Sequence, residues 1–175
     1  MDELWELVDI DGNKTGIVIE RGTNILIPQG MYHIAVDIWT KSKDGKILLT
    51  QRHPNKEWGL KWECSGGAVI KGESGIDGAR RELQEETGIK VSEEELIYLG
   101  KSIMAGHQCI MYTYLVQLTD DVKLSLQPEE VVDAKWVGMS ELENMKEDIV
   151  KSVWDRYLQF KDKIAEPVYI GSICI

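Results

Sequence analysis

Gly67–Ile89, GAVIKGESGIDGARRELQEETGI, is the stretch on which the reading of this chain turns. Ser74 followed three residues later by Asp77 has the form of a capping box, and Gly88 is placed to end a helix in a left-handed turn. The spacing therefore predicts a helix over about Gly75–Thr87. On it Ile76, Ala79 and Leu83 fall on one stripe that can pack on a core. Glu82, Glu85 and Glu86 stand at i, i+3, i+4, so their carboxylates converge on the neighbouring stripe. Like charges at that spacing repel and cost helix stability unless a counter-charge is supplied. A hard divalent cation with oxygen ligands would supply it, since Mg²⁺ is commonly held by a few carboxylates, waters and substrate phosphates. An acidic solvated face is the plainer reading of the three acids taken alone.

The acids do not stand alone. Gly67, Glu73, Arg81-Glu82-Leu83, Glu85-Glu86 and Gly88-Ile89 reproduce the pattern G-x5-E-x7-R-E-U-x-E-E-x-G-U, with U aliphatic, at every fixed position. At about one in ten per fixed residue, a chance match is on the order of one in a million. The chain thus resembles the Nudix hydrolases, which cleave nucleoside diphosphates linked to another group. The resemblance implies a mixed sheet between helices, an α/β/α sandwich, with the motif forming loop-helix-loop. It implies that Glu82, Glu85 and Glu86 bind Mg²⁺ (or Mn²⁺), with Glu82 the first choice for activating water. It further implies that Arg81 orients these carboxylates, Glu73 supports Arg81, Gly67 offers its carbonyl to metal, and Gly88 closes the helix.

Outward from this motif, 175 residues suggest a single domain with a substantial core. The net charge of -10 argues against a nucleic-acid backbone as main partner, but leaves room for a small phosphorylated substrate neutralised locally. No run approaches the roughly twenty apolar residues of a membrane span, and the acidic opening MDELWELVD does not read as a signal peptide. Cys64, Cys109 and Cys174 are odd in number and widely spaced, as expected of reduced thiols in a cytoplasmic protein.

Leu4–Asp9 and Gly16–Glu20 around the Asp11-Gly12-Asn13 turn predict a hairpin within about residues 1–28, and Ile25-Leu26-Ile27 a connector or short edge strand. His33–Thr40 predicts a strand with Ile34, Val36 and Ile38 on one face, paired through Asp44-Gly45 with Ile47-Leu48-Leu49. QRHPNKEWGLKWECSGG reads as a loop leading into the motif. Beyond it, strands are predicted over Leu96–Ser102, Cys109–Leu118 and Val131–Val137. A second capping box at Ser140 and Glu143 predicts a helix over about 140–163, with Leu142, Ile149, Val153 and Leu158 inward. The apolar end, Val168–Ile175, reads as a closing strand or as a homodimer contact.

Outside the motif, Nudix enzymes often carry a further acid on a later loop, and Glu130, ahead of its neighbour Glu129, fits that place. Arg52 and Lys56 are spaced to hold a diphosphate, Arg as the bidentate partner. Trp58 or Trp62 can cover a base or an apolar tail, at least one of them being used for packing. The order of strand, hairpin, Gln51-Arg52 and Lys56 also resembles the isopentenyl diphosphate isomerase branch of the same superfamily, where His33 sits near a metal-binding histidine. That branch has a catalytic cysteine followed closely by histidine, whereas Cys64 here leads into Ser65-Gly66-Gly67, and its motif is degenerate where this one is intact. His33 is therefore expected to be a strand residue satisfied by hydrogen bonds, and Cys64 a loop or core thiol. The expected activity is metal-dependent cleavage of a diphosphate in a small molecule. An isomerase and a non-catalytic ligand sensor are the alternatives.

Overall fold

The strand His33–Lys41, β3 in chain order, sorts the molecule into layers because its side chains alternate. Ile34, Val36 and Ile38 face one way and join Val69, Ala79, Leu83, Ile89, Tyr114 and Val116 in one core. Trp39 faces the other way, into a core with Ile47, Leu49, Leu115, Val153, Tyr157, Phe160 and Ile164. The first core is capped by helix α1 (Gly75–Thr87) and the second by α2 (Met139–Asn144) and α3 (Lys151–Ala165). The result is an α/β/α sandwich, as the sequence led us to expect. The structure is a computed structural model and describes residues 3–22 and 26–167, with the short strands β10 (Tyr169–Ile170) and β11 (Ile173–Cys174) beyond them.

β1 (Leu4–Val8) and β2 (Lys14–Glu20) form the N-terminal antiparallel hairpin. Ile25 of the expected connector lies outside the described residues. The main sheet also contains β4 (Ile47–Arg52), β5 (Trp62–Glu63), β6 (Ser65–Ala68), β7 (Ile97–Met104), β8 (Cys109–Gln117) and β9 (Val131–Val137). It runs β5-β4-β3-β8-β7, with β6 on β3 and β9 on β4. β3 and β8 are parallel while their other neighbours are antiparallel, so the sheet is mixed. β5 and β6 fall where the sequence reads as loop. Each is short, and β6 contains two glycines, which lower strand propensity. Gly66 is required there because a Cβ would overlap the carbonyl oxygen of Val36 on the neighbouring strand.

α1 matches its expected bounds. The Ser74 hydroxyl accepts from the Asp77 N–H, the Asp77 carboxylate accepts from the Ser74 N–H, and Gly88 ends the helix at φ 77. Ala79 and Leu83 are fully buried, and a buried leucine contributes about 1.5–3 kcal/mol.

The second predicted helix is instead broken in two. Gly138, not Ser140, is the N-cap of α2, and Ser140 lies inside it without a capping role. A 3₁₀ turn, Lys146–Asp148, follows, and Ile149 is then extended (φ -88, ψ 146) before α3 starts. The cause is tertiary. Trp62 bridges Ile149, and the Val150 N–H donates to the Trp62 carbonyl at 2.9 Å, so the chain straightens here to lie beside β5. The break resets the helical phase, which leaves Leu158 half exposed rather than inward, and brings Arg156 into the buried stripe. At the C-terminus β10 pairs with β11, so these strands close on each other and not on the main sheet.

Candidate active site

The sequence Arg81-Glu82 with Glu85 and Glu86 on α1 is assembled around one guanidinium. Arg81 Nε and Nη2 donate to the two Glu73 carboxylate oxygens at 2.7 and 3.0 Å, and Nη2 also to the Ala68 carbonyl at 2.8 Å. Nη1 donates to Glu82 at 2.8 Å and to Glu85 at 3.1 Å. The Glu73 hydrogen bonds are the main reason the guanidinium is held still more firmly protonated than usual. The motif thus carries its own counter-charge for three of its acids, Glu73, Glu82 and Glu85. Glu73 also accepts the Ile70 N–H at 3.2 Å, so it anchors the loop that leads into the helix.

Glu86 is the exception. It is buried, and Arg81 does not reach it. Its carboxylate accepts one hydrogen bond among the described residues, from the Gly66 N–H at 3.2 Å. Burial pushes its carboxyl well above the usual range, and the charges of Glu63 and Glu82 push the same way. Burial raises Glu82 as well, against the pull of Arg81. Glu82 packs on Gly67, where any Cβ would overlap its carboxylate. Gly66 and Gly67 thus bring strand β6 directly against the acids of α1. Among the described residues, no three acidic, histidine or cysteine side chains converge into a ready-made metal cage, since Arg81 holds Glu82 and Glu85 to itself.

The same two glycines line a cavity of about 240 Å³, together with Arg52, Trp58, Glu63, Cys64, Met104, His107 and the buried pair Asp37 and Arg156. Arg52 fixes Glu63 through Nη1, 2.7 Å from both carboxylate oxygens, and donates Nε–H to the Glu57 carbonyl at 2.7 Å. Lys56 is paired with Glu130, so the expected phosphate cation and the expected extra metal ligand neutralise each other. Trp58 is mostly exposed at φ 57, a left-handed conformation that a bulky residue seldom adopts. Trp62 packs against the α3-side core, with the Lys135 ammonium 4.6 Å from its ring centroid.

His33 keeps part of the expected hydrogen bonding, its backbone N–H donating to the Gln108 carbonyl at 3.0 Å, and its side chain is stacked. Its ring lies 4.1 Å from that of Trp5 at 12°, and Nδ1 has no partner among the described residues. Burial lowers its pKa to about 4. Cys64 is a core thiol, pushed well above its usual pKa by burial.

A family model, the NUDIX domain, matches residues 31–157, which includes every acid described above. The chain belongs to the NUDIX family. An uncharacterised Nudix hydrolase of Listeria monocytogenes is 32% identical over 150 residues, covering 82% of this chain and 85% of that protein. An isopentenyl-diphosphate Delta-isomerase of Halobacterium salinarum is 28% identical over 141 residues, 75% of this chain and 65% of the isomerase. The fold also matches a bifunctional NMN adenylyltransferase/ADP ribose pyrophosphatase of Francisella tularensis, complexed with AMP and a Mn ion. The TM-score is 0.63 at 19% identity, covering 76% of this chain and 42% of that one.

Sequence reasoning did not single out Asp37, Glu63 or Arg156 for this NUDIX site. A signal was present for two of them. Asp37 interrupts the apolar run from Ile34 to Trp39, and Arg156 stands at a buried position between Val153 and Tyr157, where an unpaired charge would be too costly. Membership of a family with isomerase relatives makes Cys64 a direct test. A buried, protonated thiol is a poor nucleophile or base, so Cys64→Ala should retain at least about half of the parent's turnover. A folded Cys64→Ala protein without activity would favour the isomerase chemistry.

Proposed function

We propose that this NUDIX chain, acting as one domain, is a divalent-metal-dependent hydrolase that cleaves the phosphoanhydride of a small diphosphate ester, probed first with nucleoside diphosphate derivatives. The observation that carries this is the packing of Glu82 and Glu86 against Gly66 and Gly67, glycines that also line the cavity. The donor set suits a hard cation. Glu82, Glu85 and Glu86 present oxygen ligands on successive turns, and Glu86 is a buried carboxyl whose ionisation burial and the neighbouring acids oppose, so a cation is the counter-charge it lacks. Mg²⁺ or Mn²⁺ held by these acids, with the Gly67 carbonyl, would polarise the phosphoryl oxygens and make bound water acidic. Glu130 remains a further ligand in this proposal if substrate draws Lys56 away from it.

Glu82 is the proposed base. Its carboxyl is buried and raised, which strengthens it as a proton acceptor, and Arg81 fixes its direction. Arg81 is not free to bind phosphate, being committed to Glu73, Glu82 and Glu85. Arg52, at the cavity wall, and Lys56, paired with Glu130, are the proposed partners of the diphosphate, with Trp58 covering the organic group. The neighbouring acids make an entering dianion dependent on these cations and the metal. A cytoplasmic location is part of this proposal, supported by two buried free thiols, Cys64 and Cys109. No helix among the described residues is long and apolar enough to cross a membrane.

The reading is tested by phosphate release from a panel of diphosphate esters, with Mg²⁺ or Mn²⁺ and in chelator. Release only with metal is expected, and inertness toward every ester refutes it. Thermal scans give an independent check. Metal that binds the folded site alone adds about 2.7 kcal/mol at a hundredfold excess over Kd. At roughly 2–4 °C per kcal/mol for this size, Mg²⁺ should raise the midpoint by ~5–10 °C. In chelator, Glu85→Gln/Glu86→Gln should melt no lower than the parent, since burial disfavours the Glu86 charge, and should gain little from Mg²⁺. An equal response of both proteins would place the ion elsewhere.

A further inference from the structure

The cavity beside the glycines has a polar floor for which anhydride hydrolysis has no use. Arg156 Nε on α3 donates to Asp37 Oδ2 on β3 at 2.5 Å, the two side chains being 7% and 3% exposed. The pair is incompletely satisfied among the described residues. Asp37 Oδ1 is buried with no hydrogen-bond partner. Arg156 Nη1 reaches the Met104 sulfur at 3.5 Å, and no described residue accepts from Nη2. The Thr113 hydroxyl, in register with Asp37 on β8, is also buried without a partner. The cavity wall is mixed: Val36, Met104, Met111, Val150 and Val153 are apolar, and Arg52, Glu63, His107 and Ser152 are not.

Such a floor selects by chemistry. A buried carboxylate oxygen without a donor is costly, and its presence beside an open cavity calls for a donor from outside. The pair is neutral as a unit, and the unpartnered carboxylate oxygen repels anions, so it is not a phosphate site. It wants a group that donates to Asp37 and accepts from Arg156, which a hydroxyl does with one atom and a pair of hydroxyls does better. An alkyl or isoprenoid chain would fill the space but would leave both partners desolvated and unpaired. The volume, about 240 Å³, is below the usual range for a drug-sized ligand, and suits one sugar-sized group.

We propose that Asp37 and Arg156 are specificity residues that read hydroxyl groups on the organic part of the substrate, selecting a pentose or small polyol ester of a diphosphate over an aliphatic one. This rests on the diphosphate-ester reading of the site above.

Two probes test it, one carrying a hydroxylated five-carbon group and one an unsubstituted five-carbon chain: ADP-ribose, and ADP esterified with n-pentanol. Binding is measured by calorimetry in chelator and again with Ca²⁺. Sites built to bond a hydroxyl reject the analogue lacking it by large factors, and ADP-ribose should bind at least ~30-fold tighter. Replacing a buried ion pair by apolar residues of similar size often preserves the fold, so Asp37→Leu/Arg156→Met should fold and prefer the pentyl ester. Equal binding of the two probes, or binding of neither, overturns the proposal. So does a folded double variant that keeps the ribosyl preference. If the double variant does not fold, the two probes on the parent decide. Failure of the hydrolase reading shows separately, as absence of metal-dependent cleavage of any ester, because the binding comparison needs no turnover.

Discussion

Glu85→Gln should lower kcat by at least about 10²-fold in a protein that melts within a few degrees of its parent, the scale of loss when one transition-state stabiliser is removed. The structure makes Glu85 the cleanest of the three acids to change. Its side chain is 50% exposed and has a single ion-pair partner, Arg81 at 3.1 Å on the same helix. An exposed i, i+4 pair is worth only about 0.3–0.5 kcal/mol, so stability is nearly untouched. Glutamine keeps the size and one carbonyl oxygen but removes the charge that a hard cation needs. Glu86→Gln would be less informative, because the buried Glu86 carboxyl is already driven toward its neutral form. The measurement is phosphate release at saturating Mg²⁺ and substrate, with a thermal scan of the same sample. Near-parental turnover in the folded variant would remove Glu85 from the metal site.

What the sequence reveals about this fold is what is decided locally. α1 could be bounded at both ends because its start and stop are side-chain and backbone events within a few residues, Ser74 with Asp77 and then Gly88. β3 could be assigned to its faces because alternation is a property of the strand itself. The misses share a different origin. Ile149 and Val150 leave the helix to pair with Trp62, which is far away in the chain. β5 and β6 are strands because β3 and β4 lie beside them, not because of their own composition. At the site, the acids and Arg81 could be placed on one helix, but the cavity floor could not, because Asp37 and Arg156 are 119 residues apart. Whether Arg52 and Lys56 stand free for substrate also depends on partners distant in sequence, Glu63 and Glu130.

Arg81 is the position at which local legibility and tertiary consequence meet, and Arg81→Met should be the most destabilising single change in the motif. Methionine retains much of the side chain's length and packing but deletes every hydrogen bond the guanidinium makes. Glu73 and Glu82, whose side chains are 18% and 15% exposed, would lose their cation, and the Ala68 carbonyl its donor. Breaking a buried pair from one side costs about 3–5 kcal/mol, because the remaining charge is left unpaired. At roughly 2–4 °C per kcal/mol, the metal-free midpoint should fall by ~6–20 °C at about pH 8. The loss should also shrink as pH falls. Burial already raises the folded Glu82 pKa above its unfolded value near 4.5, and Arg81 is what restrains that rise. Without Arg81 the folded pKa climbs further. A raised carboxyl penalises the folded state above that pKa, and protonation relieves the penalty as pH drops through it. The gap between parent and variant should therefore be smaller at about pH 5 than at about pH 8. Arg81→Lys keeps the charge but loses the fork that spans Glu73, Glu82 and Ala68, so it should fall between the two at about pH 8. Thermal scans of the three proteins at both pH values, in chelator, make the comparison. If the Arg81→Met deficit is the same at both pH values, the electrostatic account of the acid cluster fails.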